Sequence, residues 1–133
     1  MKILEDWKIK ISVLWLVWEF AAVTVPICEQ YVPGLLEEAI AEITPEMLLV
    51  LAIIMLIAPV MAFLSLLLKD SINRWANIIM GIVFAGLGLF GAISWLAEPS
   101  YIDYSAFVIL IGIVEFVVAA LIVWYAWKSK QEA

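Results

Sequence analysis

Apolar residues in this chain fall into long unbroken runs separated by short polar stretches. Four runs, about 9–28, about 47–68, about 75–97 and about 105–127, each reach the roughly 20 mostly apolar residues that a membrane-crossing helix needs. They are too long for strands and lack a period-2 alternation. The pattern predicts an all-α integral membrane four-helix bundle, up-down-up-down, in which the chain is a single transmembrane domain with no room for a soluble one. The connection after the first run is longer than a turn. There Pro33, Gly34 and the run LLEEAIAEI predict a short amphipathic helix at about 34–43, with Leu35, Leu36, Ala39, Ile40 and Ile43 on one face and Glu37, Glu38 and Glu42 opposite. Pro33 can start it, and Thr44-Pro45 can stop it and cap the second span. Such a helix either packs along the outer membrane surface or lids the bundle.

Composition strengthens this picture. Of 133 residues 67% are hydrophobic and 15% charged, against about 45–50% and about 25% in soluble domains. A soluble globule of this size could not hide so much apolar surface. One Cys and no His exclude a disulfide framework and disfavour transition-metal sites, which prefer thiolate and imidazole. No metal or cofactor is expected. Cys28 reads as an inert thiol at the membrane edge.

Charge orients the spans. Lys2, Lys8 and Lys10 precede the first span, Lys69 and Arg74 lie between the second and third, and Lys128 and Lys130 follow the fourth. The positive-inside rule then puts both termini and the middle loop in the cytoplasm of a multi-pass protein of the cell (inner or plasma) membrane. Glu29, Glu37, Glu38, Glu42, Glu46, Glu98 and Asp103 fall in the two outside connections. The formal charge of −6 therefore hides a basic inner and an acidic outer side, and implies nothing about nucleic acid, which is not an expected partner. Trp7, Trp75 and Trp127 at the inner ends, and Tyr31, Trp95, Tyr101 and Tyr104 near the outer ends, suit the headgroup level. Glu5 and Asp6 precede Lys8 and Lys10 in the flank of the first span, and Glu19 interrupts its apolar run. No small-residue cleavage site follows, so this span is expected to be retained.

Within the spans, Gly81, Ala85, Gly88 and Ala92 recur at i, i+4, i+7 and i+11. They draw a smooth stripe on which another helix backbone can close, in the monomer or a homo-oligomer. Pro59 inside the second span removes a backbone donor opposite the Met55 carbonyl and predicts a kink, and Pro26 bends or tightens the end of the first. Glu19 and Glu115 lie near the middle of the first and fourth spans, with no Lys, Arg or His at that depth. A charge at the bilayer centre costs about 2.5–3.5 kcal/mol on insertion scales. Both carboxyls are therefore expected to point inward, with at least one protonated, at a shared depth between neighbouring helices. Trp15, Trp18, Phe20 and Phe116 lie close by in sequence. Carboxylate with aromatic rings is the chemistry of a site for a lipophilic cation. The competing reading is a neutral Glu bonded to a backbone carbonyl or hydroxyl across helices.

The stretches KILEDWKIKISVLWL, NRWANIIMGI and IVEFVVAALIVWYAWK together resemble an uncharacterised family of small four-helix prokaryotic membrane proteins. That resemblance implies the four-helix fold and no established activity. Size and helix count are also similar to the DoxX-like proteins and the small multidrug exporters. The exporters carry a first-helix glutamate, as Glu19 is here, but are shorter and lack both the loop helix and a fourth-helix glutamate.

Two readings follow. One is a protein that binds or transports a small hydrophobic or cationic molecule at an intramembrane carboxylate site. The other is a structural or accessory membrane subunit without its own chemistry. An enzyme is not expected: there is no Ser-His or Cys-His pair, no Cys-x-x-Cys and no phosphate-binding glycine loop. The topology is open to a direct measurement. In a Cys28→Ser background, Arg74→Cys and Tyr101→Cys should react with a membrane-impermeant maleimide from opposite sides; labelling from one side would refute the orientation.

Overall fold

A computed structural model describes residues 5–132. Lys2 lies outside these residues, as do the side chains of Tyr101 and Lys130. The described chain is helical, without strands. In order come α1 (Asp6–Glu29), α2 (Leu35–Glu42), α3 (Pro45–Leu67), α4 (Asp70–Leu96), a 3-10 segment (Pro99–Tyr104) and α5 (Ser105–Glu132). Four of the helices, α1, α3, α4 and α5, are long and apolar enough to cross a membrane, as a multi-pass membrane protein requires.

Local signals explain the boundaries. Thr44 caps α3 by accepting a hydrogen bond from the Met47 N–H at 3.2 Å, and Pro45 occupies the first turn, where a missing N–H costs nothing. Gly34, at φ 82°, makes the left-handed turn that starts α2. The third span begins at Asp70, more than a turn before the expected Trp75. The Asp70 carboxylate in that first turn complements the helix dipole, and the Asn73 N–H bonds the Lys69 carbonyl at 2.8 Å. α3 continues as helix through Pro59. The loop helix α2 buries none of its residues.

The helices pack in the spatial order α3, α1, α5, α4. The ends bearing Lys8, Asp70 and Lys10 come together: Lys8 Nζ pairs with Asp70 at 2.7 Å, and Lys10 Nζ stands 5.4 Å from the Tyr125 ring centre. This is the basic end of the bundle, and the opposite end is the acidic one. The first and last members of the order, α3 and α4, are joined by the turn at Leu68-Lys69 and pack on each other sparsely beyond it.

Near the basic end a buried polar knot ties α1, α3 and α4. Trp15 Nε1 donates to Asn77 Oδ1 at 2.7 Å, and the Ser65 hydroxyl approaches the same oxygen at 3.2 Å. Asn77 Nδ2 donates to Asn73 Oδ1 at 2.6 Å and to the Asn73 carbonyl at 2.9 Å. Asn73 Nδ2 in turn donates to the Ser65 carbonyl at 2.7 Å. One level away, the Ser12 hydroxyl donates to the Ala62 carbonyl at 2.8 Å. Trp15, Ser65, Asn73 and Asn77 have no exposed surface. The hydrophobic core lies around them, drawing on Ile11, Trp15 and Trp18 of α1, Ala58 and Ala62 of α3, Phe84 of α4, and Val118 and Ile122 of α5. Toward the acidic end packing thins: Met47 to Leu51 of α3 are all at least half exposed, as suits a lipid-facing surface.

Replacing Asn77 by Leu would take the acceptor from the Trp15 N–H and the donor from Asn73 Oδ1 in a dry interior, while Asn73 Nδ2 keeps the Ser65 carbonyl. That should cost about 1–3 kcal/mol and lower Tm in detergent. Ser12→Ala removes a single bond and should cost less; equal losses would mean that the knot has no privileged role.

Candidate functional site

The small-residue stripe of α4 faces α5 within the same chain. A Cβ on Gly81 would stand 2.7 Å from Val123 Cγ2 and 3.4 Å from the Ala119 carbonyl, so no side chain fits there. A Cβ on Gly88 would meet Glu115 Oε2 at 3.3 Å. Ala92 opposes Gly112, whose Cβ would come within 3.5 Å of the alanine methyl. Ala85, between these contacts, is half-buried. Gly86 and Gly91 lie off the line and face open space. Small side chains thus bring the two backbones close, which is how helices associate where lipid removes the hydrophobic drive.

Where α3 and α4 part, an open cleft of about 370 Å³ remains. Leu51 and Met55 of α3 line one side, and Leu87, Gly91 and Trp95 of α4 the other. α1 contributes Ala22, Val25, Pro26 and Glu29, at the i, i+3, i+4 and i+7 spacing of one helix face. Gly88 and Ala92 of α4 and Val108, Gly112 and Glu115 of α5 complete it. Glu115 is 8% exposed, and its carboxyl has no hydrogen-bond or ion-pair partner among the described residues. The volume is at the lower end of the range for small-molecule sites.

The polar character of the lining is one-sided. It holds two carboxyls and, in the Trp95 indole, one side-chain N–H; no Lys, Arg or amide side chain takes part. Pro26 cannot bond the Ala22 carbonyl, and Pro59 cannot bond the Met55 carbonyl. Both freed carbonyls belong to residues that line the cleft. The lining is therefore rich in acceptors, and a donor or a cation is what complements it.

Of the residues singled out from sequence, Glu115, Gly88 and Ala92 meet at this cleft. Trp15 and Trp18 do not. They pack edge-on against Phe84, with ring centres 5.3 Å and 4.6 Å away, in the core of the basic half. Trp15 spends its N–H on Asn77. Glu19 is half-buried and outside the cleft lining, with Oε2 shut off from solvent and without a hydrogen-bond partner among the described residues. The second carboxyl of the cleft is Glu29, which the sequence pattern assigns to the outside connection. The signal was present: Glu29 extends the face of Ala22, Val25 and Pro26 by one more step.

Four apolar helices around a lopsided interior define a small multi-pass membrane protein. The chain belongs to a family of unknown function (DUF6326), whose model matches residues 1–132. No curated protein and no solved structure matches the chain.

The stripe and the cleft separate in a mutational test. Gly81→Leu must push α4 off α5 and should cost about 1–3 kcal/mol, seen as a lower Tm. Gly91→Leu enters open space and should leave Tm near that of the parent. A Tm unaffected by Gly81→Leu would contradict the close contact with Val123.

Proposed function

We propose that this protein binds, and in doing so can carry, a small hydrophobic amine or similar lipophilic cation in the cleft between α3 and α4. The observation that supports this reading most is Glu115, an unpartnered carboxyl buried beside an apolar, acceptor-lined space. An isolated carboxylate is costly at that depth, and an arriving ammonium offers it both a charge partner and hydrogen-bond donors. In this reading the basic end faces the cytoplasm of the cell membrane and the cleft lies in the outer leaflet, open to lipid between α3 and α4. The protein has no bond-breaking chemistry of its own; recognition is the function.

Octylamine is a suitable probe, measured by calorimetry with the protein in phosphatidylcholine nanodiscs against empty discs. Binding is expected, with Glu115→Gln weakening it by about tenfold or more, since charge-assisted bonds are the strong ones. Gly91→Phe, which fills the cleft from an unobstructed position, should weaken it with little change in Tm. Octylamine binding indifferent to both substitutions would overturn the cleft reading and favour an accessory subunit.

A further inference from the structure

The same cleft carries a second acidic group that a single ammonium leaves unused. On α1 its lining runs from Ala22 to Glu29, and on the antiparallel α5 from Glu115 to Val108. Each stretch advances seven residues, about 10 Å of helix. Glu115 therefore stands at the deep end and Glu29 at the mouth, separated mainly by apolar and glycine surface. Trp95 also lines the cleft, and Val108, beside the mouth, is buried.

We infer that the preferred ligand is a linear aliphatic diamine, one ammonium at Glu115 and the other at Glu29, with its methylene chain along Gly88, Gly91 and Gly112. The inference rests on the amine-binding reading of this cleft and adds the ligand's second charge and its length. Three features act together. The buried Glu115 lacks a partner, so the deep end is incomplete without a cation. The lining supplies no positive side chain, so two carboxyls are balanced by ligand charge alone. Gly88, Gly91 and Gly112 present backbone to the cleft, Gly88 and Gly112 at the α4–α5 contact and Gly91 beside open space, a wall without branches that suits an unbranched chain. At the mouth, an indole close to an ammonium adds a cation–π attraction.

The test compares octylamine with 1,8-diaminooctane, whose extended length suits the span between the two carboxyls. Both are titrated into the parent protein, Glu29→Gln and Glu29→Asp in phosphatidylcholine nanodiscs, with empty discs subtracted and helicity checked by circular dichroism. The parent should bind the diamine about tenfold more tightly than the monoamine, as one added charge-assisted contact predicts. Glu29→Gln should abolish that preference while leaving octylamine binding intact, and Glu29→Asp should keep part of it. Equal binding of the two amines by the parent, or a preference that survives Glu29→Gln, overturns the diamine inference while octylamine binding upholds the single-amine site. Failure of both amines to bind the folded parent overturns both readings.

Discussion

The fold depends on a hydrogen bond between an indole and an amide. Lipid tails are as apolar as leucine, so burying apolar side chains between helices gains little in a bilayer, and packing and polar contacts must hold a bundle together. Here Trp15 reaches Asn77, and Asn77 is itself held by Asn73 and approached by the Ser65 hydroxyl. Each of these groups would be expensive to leave unpaired in a dry interior, so the knot fixes the depth and rotation of α1, α3 and α4 at once. The ion pair of Lys8 with Asp70 secures the same three-helix junction where it approaches the surface.

Everything that the knot does not reach is looser. The core residues cluster in the basic half, and the opposite half contains the cleft. The division is chemical as well as spatial. In the basic half the side chains of the knot satisfy one another, though the buried Trp18 N–H has no hydrogen-bond partner among the described residues. In the acidic half the cleft gathers two carboxyls, Glu29 and Glu115, with no Lys or Arg in its lining. Close packing of α4 on α5 through Gly81 and Gly88 keeps one wall of the cleft rigid while α3 stands apart.

Much of the architecture was legible in the residues. Hydropathy gave the four spans, and Thr44-Pro45 marked the start of α3 because a hydroxyl cap followed by proline suits few other places. The stripe from Gly81 to Ala92 announced a helix contact, though spacing alone could not name α5 as its partner. The knot was harder to see. Ser65, Asn73 and Asn77 are scattered polar residues within apolar helices, and only the fold reveals that they share atoms. Trp15 and Trp18 lie close to Glu19 in sequence, yet indoles that size fill a core as readily as they line a site. Glu29 sat at the edge of a hydrophobic run, where a charge reads as the end of the membrane rather than as one more step along a helix face.

The lopsided packing has a mechanical side. A bundle fastened at one end and parted at the other occupies more area in one leaflet than in the other. Lipid crowding in the wider leaflet presses α3 toward α4, and thinning or stretching of that leaflet relaxes the pressure. On the proposed reading, a molecule in the cleft would hold that gap open, and the surrounding monolayer would set how much work this takes.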